Sequence, residues 1–135
     1  MRKQSFLNII AKYRDFFATT WINLQDAYTV ESNNVGSWTQ IGYNAPGTKD
    51  AASSAHTTNF GYTDAVSGQT ATWKATAKVK LNDCAVNGYW QAVATAEKQA
   101  DADGGMTYVK IQTSGTSECI GLTPSFSNLA RASAQ

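Results

Sequence analysis

From Thr70 to Leu81 the side chains alternate without a break. Ala71, Trp73, Ala75, Ala77, Val79 and Leu81 take one parity; Thr72, Lys74, Thr76, Lys78 and Lys80 take the other. A strand turns successive side chains to opposite faces, so this run has one apolar and one polar face. Such a strand belongs to an antiparallel sheet covered on one side only. Any fold open to this chain must therefore supply a cover for that one face.

The cover is expected upstream. Phe6, Ile10, Tyr13, Phe17, Trp21, Leu24 and Tyr28 recur at steps of three and four, close to the α-helical period, with Ile9, Phe16 and Ala27 widening the stripe. Lys12, Asp15, Asn23 and Asp26 fall elsewhere, and no Gly or Pro interrupts before Gly36. The pattern predicts a helix of about 25 residues, roughly 38 Å. That exceeds what a domain of this size needs, so one end is expected to project. Asn33-Asn34-Val35-Gly36 supplies a stop, because Asn and Gly tolerate the left-handed cap conformation.

The remainder divides into strands and turns. Residues 33–56 read as a loop, punctuated by Pro46-Gly47 and by Ala51-Ala52-Ser53-Ser54-Ala55. Thr57–Thr63 is a short first strand, and Tyr89–Ala96 and Met106–Thr113 are further candidates beside Thr70–Leu81. The residues from 120 to 135 read as a loosely packed polar tail. The expected fold class is α+β: one domain, 1–135, with a long N-terminal helix (5–32) packed on a small antiparallel sheet (57–113). Leu24, Tyr28, Trp73, Val79, Leu81 and Trp90 are the expected helix–sheet core.

Composition removes several functions. Eleven basic residues face ten acidic ones, so no global field holds nucleic acid or an anionic membrane. One histidine and two cysteines leave little for a metal site, and no stretch approaches the roughly 20 apolar residues of a spanning helix. Charged residues are only 16% of a chain rich in Thr, Ala, Gly and Asn, a balance common in secreted and surface proteins. Cys84 and Cys119, with no CxxC and no Cys–His cluster, point to one disulfide and an oxidising compartment. The alternative is two free buried thiols in a cytosolic protein. If formed, the bridge bounds residues 84–119 and contributes about 3–4 kcal/mol.

Leu24-Gln25-Asp26-Ala27-Tyr28, followed by Glu31-Ser32-Asn33-Asn34-Val35-Gly36-Ser37-Trp38, resembles the junction between helix and loop in type IV pilins. The resemblance runs from about Tyr13 to Cys119. It implies a pilin-like headgroup with a disulfide-closed C-terminal loop, assembling with other pilin subunits through the helix residues Phe6, Ile9, Ile10, Tyr13, Phe16, Phe17 and Trp21. Met1-Arg2-Lys3-Gln4 is similar to a pilin leader and Phe6 to a first mature residue, but Ser5 replaces the usual Gly and Ile10 the usual Glu. The apolar helix half of a pilin is also missing. The expectation is a headgroup whose membrane helix is largely removed, or a shortened relative that assembles differently.

Other candidates are fewer. Asp101, Asp103 and Gly104 form an Asp-x-Asp-Gly fragment that could hold calcium, although a full EF-hand needs more ligands; a solvated turn is the default. No other cofactor is expected. Lys74, Lys78 and Lys80 could meet an acidic neighbour or solubilise the open sheet face; nucleic acid is not an expected partner. Trp38 and Tyr43 stay open between core residues and a saccharide-stacking surface. His56 reads as an exposed loop histidine, and Asp83 and Glu118, each preceding a cysteine, make only a remote glycosidase pair. The chain is therefore not expected to be an enzyme. The expected function is a structural subunit of an extracellular, type IV pilus-like filament used in surface adhesion. The alternative is a monomeric carbohydrate-binding module using loop aromatics on polysaccharide.

Overall fold

The computed structural model describes residues 2–98 and 107–132, with helix side chains from Arg14 onward. A six-stranded antiparallel sheet organises the chain: β1 (Thr48–Ala51), β2 (Ser54–His56), β3 (Phe60–Ser67), β4 (Thr70–Ala77), β5 (Tyr89–Lys98) and β6 (Thr107–Gly115). Each strand pairs with the next in sequence order, a meander. Helix α1 (Arg2–Ser32) packs on one face, against β4, β5 and β6. Two short helices, α2 (Trp38–Ile41) and α3 (Ser117–Leu122), and a 3-10 helix (Pro124–Leu129) complete the fold.

The period-two rule places the core. Ala71, Trp73, Ala75 and Ala77 of β4 and Trp90, Ala92, Ala94 and Ala96 of β5 are all buried on the helix side. The many alanines let the helix backbone approach the sheet, while the tryptophans fill the edges of the layer. From α1 the buried residues are Arg14, Ala18, Trp21, Ile22, Gln25 and Thr29, one helical stripe.

The expected architecture, a long helix packed on a small antiparallel sheet in the pilin-like manner, is overturned. The sheet has six strands and is the dominant element, and the helix side chains described against it are those of about 19 residues, 14–32. The physical reason lies in the strands that alternation does not reveal. β1 has four exposed residues and β2 only three residues, so neither carries an apolar parity. Both sit in the segment 33–56 that reads as loop, together with α2. The first expected strand, Thr57–Thr63, instead runs Phe60–Ser67.

The strand expected to reach Leu81 ends at Ala77. Leu81 and Cys84 pair in a tight turn through Asn82, whose φ of 55° is left-handed, and Asn87 N–H donates to the Ala77 carbonyl. The tail read as loosely packed is docked: Phe126 is fully buried, and Arg131 pairs with Ile111 in both directions at 2.9 Å. Its apolar contacts, Phe126 with Ile120, Leu122 and Leu129, are spread among polar and small residues without a regular period.

The exit from α1 is held by specific bonds. Asn33, at φ 62°, donates its N–H to the Thr29 carbonyl, a left-handed cap. Buried Gln25 grips the backbone of Gly36 from both sides, donating Nε2–H to its carbonyl (2.7 Å) and accepting its N–H (3.0 Å). A side chain at position 36 would meet the Tyr28 ring at 2.8 Å and would have to displace it. Ser37 and Gln40 then form a capping box for α2.

Candidate functional site

The outward face of α1 carries the feature that the fold itself does not use. Its exposed positions are Phe16, Asn23, Ala27, Val30, Glu31 and Ser32, with Thr20 half-buried beside them. Phe16 is 63% exposed and Val30 67%. Residues 16, 20, 23, 27 and 30 are separated by four, three, four and three, the spacing of a helix–helix seam. The sequence spacing continues through Tyr13, Ile9 and Phe6, whose side chains lie outside the described residues, as does that of Ile10.

Between Phe16 and Val30 charge is withdrawn from this face, and the exposed Glu31 follows only at its C-terminal end. Asp15 turns back to accept from Arg14 and from the Ser125 hydroxyl (2.9 Å). Asp26 pairs with Arg131, which is anchored on β6. The Thr20 hydroxyl donates to the Phe16 carbonyl, which satisfies it within the helix. Between Phe16 and Val30 the seam is therefore Phe, Thr, Asn, Ala and Val. An ordinary solvated helix face carries Lys, Glu or Arg.

The other helix residues expected in assembly fall differently. Phe17 is half-buried; its carbonyl accepts from the Tyr43 hydroxyl at 3.2 Å, and its ring meets Phe16 edge-on at 5.4 Å. Trp21 is fully buried and belongs to the core, a correction to its expected role in assembly. It stands in register with Ala18, Ile22 and Gln25, the sheet-facing stripe. Of the expected helix–sheet core, Trp73, Trp90 and Leu81 are buried, while Leu24, Tyr28 and Val79 pack at its margin. The Trp73 indole donates to the Tyr43 hydroxyl and the Trp90 indole to Thr123.

Arg14 was not legible as a core residue, although its spacing from Ala18 and Trp21 puts it on the buried stripe. It is 1% exposed, with its guanidinium over the rings of Trp90 (4.4 Å) and Phe126 (5.2 Å). Burial lowers its pKa from the ordinary guanidinium value, against the opposing pull of Asp15.

Cys84 and Cys119 are bonded and fully buried. Gly88 packs so closely that a Cβ there would lie 2.3 Å from the Cys119 sulfur. The bridge ties the turn after β4 to α3, closing the C-terminal loop. Asp83 and Glu118 are both exposed, and the Glu118 carboxyl lies below its usual range through a backbone N–H and the Ser117 hydroxyl.

Trp38 and Tyr43 come together, ring centroids 5.3 Å apart, beside a cavity of about 440 Å³ lined also by Thr39, Asn44, Lys49 and Ser54. Their exposures are only 4% and 5%, so neither ring offers a face on which a sugar could stack. Of the two roles open to Trp38 and Tyr43, the possible surface-binding one is corrected: both belong to the core. Burial raises the Tyr43 hydroxyl well above the usual phenol range and pushes Tyr62 up to about 12.

The three lysines do not share one strand face. Lys74 lies on β4 with its ammonium over the Tyr89 ring at 4.4 Å, whereas Lys78 and Lys80 are exposed beyond the strand end. Asp101 and Asp103 lie outside the described residues. Among the described residues no group of three or more His, Cys, Asp or Glu could hold a metal ion. Among them, too, no helix is long and apolar enough to cross a membrane. His56 is on β2 rather than in a loop, with Nδ1 2.9 Å from both Asp50 oxygens. Neither partner follows from the sequence, because β1 and β2 do not.

Compared with protein-family models, curated proteins and solved structures, the chain matches none.

Proposed function

We propose that this chain is a structural subunit of an extracellular filament, joined to further copies of itself through the outward face of α1. The observation that carries this reading is the uncharged seam of Phe16, Thr20, Asn23, Ala27 and Val30 on an otherwise solvent-facing helix. Covering the exposed parts of Phe16 and Val30 removes roughly 200 Å² of apolar surface, about 5 kcal/mol before association costs. The tethering of Asp15 and Asp26 toward the domain supports the same reading, since a helix meant for water gains nothing from hiding its acids. A contact between unlike positions on successive copies extends into a filament when its rotation does not close into a ring.

In such an assembly the helix faces inward. The far face of the sheet, with Thr72, Lys74, Gln91 and Gln112, and the disulfide-closed loop stay in contact with the surroundings, where adhesion to surfaces takes place. The buried disulfide suits an oxidising, extracellular setting.

The test is sedimentation and negative-stain microscopy of the full chain over a range of concentrations, beside the double variant Phe16→Asp, Val30→Asp. Concentration-dependent oligomers or filaments that the variant lacks, at an unchanged melting temperature, support the proposal. A wild-type chain that stays monomeric throughout, or a variant that assembles equally well, overturns it.

A further inference from the structure

A second cavity, about 520 Å³, opens beside the edge strands β1 and β2 and is lined by Gly47, Thr48, His56, Thr57, Thr58 and Lys78. Four separate segments build it: the approach to β1, the end of β2, the turn into β3 and the exit of β4. Gly47, at φ 86°, runs so close to β2 that a Cβ there would lie 2.0 Å from the His56 carbonyl oxygen. That contact requires glycine and keeps this wall of the cavity free of any side chain.

The chemistry of the lining is one-sided. It offers the Lys78 ammonium, the His56 imidazole and three threonine hydroxyls, and no carboxylate. Thr57 is partly committed, since its hydroxyl oxygen accepts the Phe60 N–H at 3.1 Å. The nearest acid, Asp50, is not among the lining residues. Both of its oxygens sit on His56 Nδ1, which leaves Nε2 as the ring nitrogen without a hydrogen-bond partner among the described residues. A lysine acts toward an oxyanion as a point charge, with threonine hydroxyls completing the donor set, while His56 Nε2, whose partner nitrogen donates to Asp50, accepts from a ligand hydroxyl. The hollow is open to solvent and leaves room beside an oxyanion for the group that carries it.

We infer that this cavity binds a phosphate or sulfate monoester carried on a hydroxylated group such as a sugar. Lys78 and the threonine hydroxyls hold the oxyanion, and His56 Nε2 accepts a hydrogen bond from a hydroxyl of the group that carries it. The site is independent of the helix seam and of the assembly proposed above.

His56 is the chain's single histidine, so its imidazole C–H proton resonance reports on the site without assignment. The experiment titrates the full chain with glucose 6-phosphate, glucose 6-sulfate, inorganic phosphate and sodium chloride, at fixed pH and ionic strength. The expected result is a saturable shift with at least one ester, weakened about tenfold in Lys78→Ala, the loss of one charge-assisted contact. Lys80→Ala, outside the cavity, leaves that binding unchanged. Saturation by one ester alone identifies which oxyanion the site takes, and saturation by both shows that it takes either. A response no different from chloride overturns the inference, and so does equal weakening by Lys80→Ala, which would mark diffuse surface charge. Retained binding in Lys78→Ala overturns it as well.

Discussion

Replacing Arg14 by methionine should leave the protein as stable as before or raise its stability by about 1–2 kcal/mol. The guanidinium is buried, and only its Nη2 has a partner, the Asp15 carboxylate; Nε and Nη1 have none. Each buried donor left without an acceptor costs about 1–3 kcal/mol, and dehydrating the cation costs several more. Against this stand one ion pair and two ring contacts, each of the latter worth roughly 0.5–2 kcal/mol. These terms come close to cancelling, so the charge contributes little beyond the space its stem fills between Trp90 and Phe126. Methionine keeps most of that volume at similar helix propensity and removes both orphan donors. Arg14→Ala keeps none of the volume and should lose about 2–4 kcal/mol to the void. Asp15→Asn, which leaves the cation without its counter-charge, should cost about 1–3 kcal/mol. The assay is urea unfolding of the oxidised protein followed by tryptophan fluorescence, with equal m-values as the check on comparability. A methionine variant as unstable as the alanine variant would refute the reasoning, because the charge itself would then be the stabilising element.

Two further outcomes follow from the same packing. Replacing Cys84 and Cys119 together by serine opens a link between residues 35 apart and should cost about 4 kcal/mol, or roughly 10–15 °C in Tm. Gly88→Ala should give free thiols on oxidative refolding, measured by thiol titration, because its methyl occupies the space of the Cys119 sulfur. For pH, the folded-state pKa values of Tyr43 and Tyr62 both lie above the unfolded value of about 10. The folded protein then holds two protons that the unfolded chain has released, so stability is full below about pH 10 and falls as pH rises toward 12. The slope is about 2.7 kcal/mol per pH unit for the pair. Phenolate absorbance and fluorescence should therefore report one alkaline unfolding transition, and Tyr43→Phe should make it shallower.

What could be read in the sequence was what a local rule decides. The alternation from Thr70 marks β4 because both of its neighbours cover it and one face must be apolar. The helix stop at Asn33 is readable because few residues accept a positive φ, and the disulfide because two cysteines without metal-ligand spacing leave little else. The six-stranded extent of the sheet was not readable. β1 is held by backbone pairing to β2 and β2 by pairing to β3, and together they bury only Ala55, so no side-chain pattern records them. Nor was the role of Arg14, since a charged residue on the apolar stripe looks like an interruption until Trp90 and Phe126, distant in sequence, are seen to enclose it. The seam shows the opposite limit. Phe16 and Trp21 both read as assembly residues, and only the packed domain separates the one it swallows from the one it leaves outside.

The most direct test of the assembly account is photo-cross-linking from the seam. A benzoylphenylalanine in place of Asn23, between Phe16 and Val30, is irradiated in the full chain at concentrations where oligomers form, and the products are mapped by mass spectrometry. The same probe at Thr72, on the far face of the sheet, serves as the comparison. The account predicts intermolecular cross-links from position 23 that land on α1 of a second copy, and few from position 72. Cross-links that favour position 72, or none from position 23, would contradict it.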